Sequence, residues 1–258
     1  MTIALIADAP SGVALRLGLG MLCLQFAIGA ANDYADAASD ELAGRAKPIP
    51  LGLISPEDAA RLALGAAVLG LLIAATVGVG AFVVGAVGLA DGLAYDLRLK
   101  GTPLAWMPFA AGVGILPAYA WLGARGSVPA AFLGVVVVAA MAGAALALAN
   151  AYGDLGKDRR SGAATVATRL GSRRTLLANA ALLAIVHVVA LATTVAIEEA
   201  PFLLVAEGIG CALGWLGFGL AAAGDRARPF VWEVQAIGVA VLGAGWLASL
   251  SSAGMLRG

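Results

Sequence analysis

Apolar segments of about 20 residues recur along the whole chain between short polar loops, and this spacing leaves few folds open to it. A run of that length crosses a bilayer as a helix, because hydrocarbon offers no water to an open backbone group. The chain is 61% hydrophobic and 12% charged, with a mean hydropathy of +0.94, which argues against a soluble domain with a large core. The segments predict helices at 13–32, 59–77, 79–97, 103–123, 128–153, 175–197, 201–222 and 230–252. The expected architecture is all-α: a polytopic membrane bundle of about eight spans, with residues 1–258 as one integral domain.

Placing the loops alternately on the two sides leaves only Arg16, Arg125 and Arg257, of 16 lysines and arginines, on one face. Basic short loops stay cytoplasmic, so the crowded face is the inner one, in what reads as a prokaryotic cell (inner) membrane. Eight spans put both termini outside, and a missing preceding helix, with Met1 to Ala7 as its remnant, accounts for that. The N-terminus lacks the basic region of a cleavable signal. Formal net charge is zero, so no basic field points to nucleic acid. Cys23 and Cys211 lie in separate apolar segments, which disfavours a disulfide framework or a zinc site. No glycine-rich nucleotide motif follows a predicted strand.

The polar residues gather at the ends of the apolar runs. In Asn32-Asp33-Tyr34-Ala35-Asp36-Ala37-Ala38-Ser39-Asp40, a continuing helix puts Asn32, Asp36 and Asp40 at i, i+4 and i+8, with Asp33 beside them. Carboxylates stacked on one face repel one another and need a cation, and hard oxygen donors suit Mg²⁺. Asp154 and Asp158, again at i and i+4, close a second apolar run. Two such faces can close on a diphosphate through bridging Mg²⁺. Solvated acidic helix ends are the bland alternative.

Gly44 is expected to end the first motif's helix, and Pro48 and Pro50 to enforce an extended segment that folds Arg45 and Lys47 back over the acids. There the two cations can hold outer phosphate oxygens, or merely enforce topology. Farther on, Tyr95 ends an apolar helix and Lys100 follows in a short loop, so a phenol and an ammonium face the same mouth. Asp91 lies about one turn deeper, where an acid is costly and faces a cavity or a partner. It can orient an acceptor or serve as an interhelical structural acid. Glu207, Glu233, Gln235 and His187 are read as cavity-lining or helix-contact residues.

In order along the chain, Asn-Asp-x-x-Asp-x-x-x-Asp, Arg-x-Lys-Pro-Ile-Pro-x-Gly, Tyr-x-x-x-x-Lys and Asp-x-x-x-Asp resemble the UbiA superfamily of intramembrane prenyltransferases. The resemblance implies a helical bundle, usually of nine spans, around a central cavity with a cytoplasmic polar cap. It implies that Asn32, Asp33, Asp36, Asp40, Asp154 and Asp158 hold Mg²⁺, with a prenyl diphosphate beside Arg45, Lys47 and Lys100. Ala151 departs from the acid many relatives carry directly after the asparagine of the second motif, and the family's first helix is essentially absent.

The implied reaction transfers a prenyl group to a lipophilic, aromatic or quinone-precursor acceptor within membrane lipid. Metal and cations stabilise the departing diphosphate, the apolar cavity shields an allylic cation, and Asp91 and Tyr95 are the candidates for handling the acceptor. The same fold can instead serve a polar-lipid or polyprenyl-phosphate substrate. A small transporter is the rival from another class, although the acids cluster at the cap and not at the midplane.

Overall fold

The computed structural model describes residues 1–197, 201–224 and 226–256, the side chain of Pro229 excepted. Among the described residues eleven α-helices follow one another: α1 (Thr2–Ile6), α2 (Ser11–Leu42), α3 (Pro56–Val77), α4 (Val79–Ala94), α5 (Trp106–Arg125), α6 (Phe132–Gly153), α7 (Leu155–Ser161), α8 (Val166–Leu170), α9 (Ser172–Ala196), α10 (Pro201–Ala222) and α11 (Val231–Ser252). Among the described residues, eight helices are long and apolar enough to cross a membrane. They coincide with the eight predicted runs to within a few residues, except at the first. There the helix starts at Ser11 and passes Asn32 to end at Leu42. Thirty-two residues rise about 48 Å against a hydrocarbon core of about 30 Å, so α2 can both span and carry a polar end beyond the lipid. The loss of hydropathy after Ala31 marks the change of solvent, not the end of the helix.

Local chemistry explains the boundaries. Ser55 caps α3 by accepting the Asp58 amide at 3.0 Å, with Pro56 at the first helical position. Gly44 and Gly162 adopt φ of +62° and +74° just past α2 and α7, a left-handed conformation that closes helices with little steric penalty for glycine.

Contacts divide the chain into two compact units. The first comprises Ile3–Lys100 with Tyr119–Gly126. In it α2 packs on α3 and α4 around Leu17, Leu24, Ala74, Ala81, Leu89 and Tyr119. The α2 and α3 backbones approach closely at Gly20 and Gly70, where an added Cβ on Gly70 would lie 3.0 Å from the Gly20 carbonyl oxygen.

The second unit comprises Gly101–Ala118 and the chain from Ser127 onward. There α10 and α11 pack through Gly210 and Gly238, and an added Cβ on Gly210 would lie 2.6 Å from the Leu242 amide nitrogen. Several of its buried polar side chains bond one another. Asn179 and Gln235 exchange two 3.1 Å amide hydrogen bonds, and Glu207 accepts from Thr194 at 2.7 Å and Ser249 at 3.2 Å. Gln235 and Glu207 thus serve helix contacts. His187 is buried edge-on to Trp215, with ring centroids 6.0 Å apart.

Candidate active site

The last three turns of α2 bring Asn32, Asp36 and Asp40 onto one side of a continuous helix, with Asp33 adjacent. The neutralising cations come from the chain itself. Past Gly44 the loop doubles back, placing an Arg45 guanidinium nitrogen 3.1 Å from Asp40 Oδ1, and Lys47 Nζ 2.8 Å from Asp40 Oδ2 and 2.9 Å from Asp33 Oδ1. Lys100 pairs with Asp36. Partial burial disfavours a charged Lys47, but the carboxylates of Asp40 and Asp33 outweigh it and hold the ammonium above its usual range.

The segment carrying Pro48 and Pro50 is not extended, as the sequence suggested, but a run of tight turns. The Leu51 amide donates to the Lys47 carbonyl at 3.0 Å, and the Leu53 amide to the Pro48 carbonyl at 2.9 Å. Proline's fixed φ suits turns as well as extended chain, and the carbonyls around it remain free to accept.

After α4 the helix widens into a π-turn over Tyr95–Leu99, where the Lys100 amide reaches back to the Tyr95 carbonyl at 2.8 Å. This i to i+5 closure brings the backbones of the two motif residues together. Asp91, one turn earlier, is half-buried, and its carboxyl group makes no hydrogen bond or ion pair among the described residues. The π-turn also buries Asp96, which the sequence reading passed over. Its Oδ1 accepts from Asn32 Nδ2 at 2.6 Å, while its Oδ2 is buried without a hydrogen-bond partner among the described residues. The available signal was the acid directly after Tyr95 in a membrane-length segment.

In the second unit, α6 ends at Gly153, and Asp154 joins it to α7 with φ −84° and ψ −2°. The Asp158 amide donates to the Asp154 carbonyl at 2.9 Å, which preserves the i, i+4 relation across the junction. Asp154 is exposed and Asp158 half-buried. Thr165 caps α8 and donates its hydroxyl to Asp158 Oδ2 at 3.0 Å. Burial pushes the Asp158 carboxyl up and nearby Asp154 adds to it, against the Thr165 hydrogen bond and the charge of Lys157. The signal for Thr165 in the sequence was its capping position before Val166.

The donor chemistry fits a divalent cation. Asn32, Asp33, Asp36 and Asp40 offer hard oxygens, and beside them lies the unpartnered Asp96 Oδ2. Among the described residues no three Asp, Glu, His or Cys side chains gather into a cage able to hold an ion. A cation held here draws further coordination from phosphate or water, as suits Mg²⁺.

A sequence model described as the UbiA prenyltransferase family matches residues 1–251. Among solved structures, the apo form of a UbiA homologue from Aeropyrum pernix K1 is similar with a TM-score of 0.77 at 20% identity, over 94% of this chain and 92% of that one. A UbiA homologue from Archaeoglobus fulgidus bound to DMAPP and Mg²⁺ gives 0.69 at 18% identity, over 93% of each chain. A digeranylgeranylglyceryl phosphate synthase gives 0.66 at 11% identity, over 97% of each chain. At these identities the structural likeness speaks for the fold. No protein of curated function matches the chain.

Proposed function

The chain belongs to the UbiA prenyltransferase family, and from that premise we propose that it is an integral membrane enzyme transferring a prenyl group from a prenyl diphosphate, with Mg²⁺, to an aromatic or quinone-precursor acceptor. The observation that carries the reading is the end of α2, where buried Asp40 and its neighbours are matched by Arg45, Lys47 and Lys100. An anion that arrives with its own divalent cation can replace both halves of that network, the basic side chains turning to phosphate and the carboxylates to metal. Archaeoglobus fulgidus relatives solved with DMAPP or GPP and Mg²⁺ support the donor class.

In this reading residues 1–258 act as one catalytic domain, and each acidic motif, Asn32, Asp33, Asp36 and Asp40 on α2 and Asp154 and Asp158 around α7, supplies oxygen ligands. Bound Mg²⁺ supplies electrostatic stabilisation of the departing diphosphate. Arg45, Lys47 and Lys100 hold its outer oxygens. The bond from the prenyl C1 to diphosphate oxygen breaks with the electron pair staying on oxygen, and an electron-rich acceptor carbon forms the new bond. Asp91, half-buried and unpaired, accepts the proton the acceptor loses, and Tyr95 positions the acceptor beside it. Apolar helix surfaces keep water from the cationic prenyl group. The excess of basic residues on the inner loops supports a site on the cytoplasmic side of the membrane, here read as a prokaryotic one.

The acceptor is decided by product analysis. Purified protein in detergent is offered prenyl diphosphates of several lengths, with phenolic acids, naphthoates or a prenylated glycerol phosphate, and products are read by mass spectrometry. A Mg²⁺-dependent prenylated aromatic is the expected product. Products only from the glycerol phosphate would move the assignment to polar-lipid synthesis, and none from any pair would end the prenyltransferase reading.

A further inference from the structure

Asp96 is the buried acid of the first unit that the scheme above leaves idle. It is 9% exposed, and it carries two oxygens in different circumstances. Oδ1 accepts the Asn32 amide at 2.6 Å, and Oδ2, equally out of solvent, has no hydrogen-bond partner among the described residues. A carboxylate oxygen left unsatisfied in such a place is costly, so its retention calls for a partner that arrives with a ligand. The surroundings say which sort. Asp96 sits within electrostatic reach of Asp36, Asp33 and Lys100, and Lys100 is already committed to Asp36. Asp36 has Lys100 and Asp33 has Lys47, which leaves Asp96 beside these acids without an ammonium of its own among the described residues.

The Asn32 contact has a second consequence. With Nδ2 turned to Asp96, the carbonyl Oδ1 of the same amide is directed away from it, so the hydrogen bond selects which end of Asn32 is offered as a ligand. We propose that Asp96 is a positioning residue of the cation site on α2: its Oδ1 fixes the Asn32 amide so that the carbonyl oxygen faces the ion, and its Oδ2 takes a hydrogen bond from water in the ion's shell. Mg²⁺ characteristically keeps several such waters, and outer partners of this kind commonly alter metal affinity by about 10–100-fold. The inference rests on the Mg²⁺-diphosphate reading above.

The test reads binding without turnover. Wild-type protein and Asp96→Asn, purified in detergent without metal, are heated with inorganic diphosphate and increasing Mg²⁺, and the half-saturating Mg²⁺ is taken from the rise in unfolding midpoint. Asn at 96 can still accept from Asn32 but offers no anionic oxygen, so it separates a cation role from a packing role. The expected result is an unchanged midpoint without Mg²⁺ and a half-saturating Mg²⁺ about tenfold or more above wild type. Half-saturation within about twofold of wild type would overturn the proposal. If Asp96→Asn lowers the metal-free midpoint, Asp96→Ser is read by the same criterion. Wild-type protein that gains no stability from Mg²⁺ with diphosphate would instead remove the reading beneath the proposal, an outcome distinct from an indifferent variant.

Discussion

Lys47 Nζ lies 2.8 Å from Asp40 Oδ2 across the turn that ends α2, while the same ammonium is 2.9 Å from Asp33, seven residues before Asp40 in the chain. One cation thus spans two turns of the acidic helix face. The Asp40 side chain is only 3% exposed, so removing its partner leaves a buried carboxylate dependent on Arg45. Because Lys47 is held above its usual range, this stabilisation is complete at neutral pH and is lost only as pH rises past 10.5. Lys47→Met should therefore destabilise metal-free protein by about 1–2 kcal/mol, less than a fully buried pair because Lys47 is partly solvated. Thermal unfolding in detergent measures this. On the proposed role, the same variant should raise the KM for prenyl diphosphate about tenfold.

Close helix packing in the second unit supplies a prediction independent of catalysis. Gly210→Ala places a methyl group 2.6 Å from the Leu242 amide nitrogen and 2.7 Å from the Gly238 carbonyl oxygen, both backbone atoms that cannot rotate away. Overpacking of this kind costs about 1–3 kcal/mol. Gly208→Ala, on the same helix with nothing within 4 Å of the added carbon, should be neutral or slightly stabilising. Equal unfolding midpoints for the two variants would contradict the described contact of α10 with α11.

Asp158 offers a test of stability against function. Its raised carboxyl pKa means the folded chain prefers it protonated, so its favourable contribution is present at low pH and lost as pH rises through the folded value. Once ionised, the group is a liability without metal. Asp158→Asn keeps an acceptor for Thr165 and removes the charge, so metal-free protein should gain roughly 1–3 °C in midpoint while prenyl transfer falls by at least about 100-fold. A variant that loses stability and keeps activity would reverse both assignments.

Much of the architecture was legible because lipid imposes one rule on every span: the backbone must satisfy itself, so length and hydropathy suffice to place helices. The same signal failed on α2, where hydropathy falls after Ala31 although the helix continues to Leu42. The acidic and basic motifs were readable from their spacing, yet the pairing of Asp40 with Arg45 and Lys47 depends on a turn that two prolines made look extended. For Asp96 the sequence offered only an acid directly after Tyr95 in an apolar segment; its burial lies in the π-turn at Tyr95–Leu99, a local change of winding without a periodic signature. Thr165 becomes a partner of Asp158 only through the short helices α7 and α8, which are too brief to show periodicity.

The central claim, that the acidic end of α2 works on a prenyl diphosphate with Mg²⁺, is tested most directly by diphosphate release. Purified wild-type protein, Asp36→Ala and Asp154→Ala are each given prenyl diphosphate and acceptor, with and without Mg²⁺. The account predicts release by wild type that requires Mg²⁺ and falls by at least about 100-fold in both folded variants. Release that proceeds without Mg²⁺, or that survives in Asp36→Ala, would contradict it.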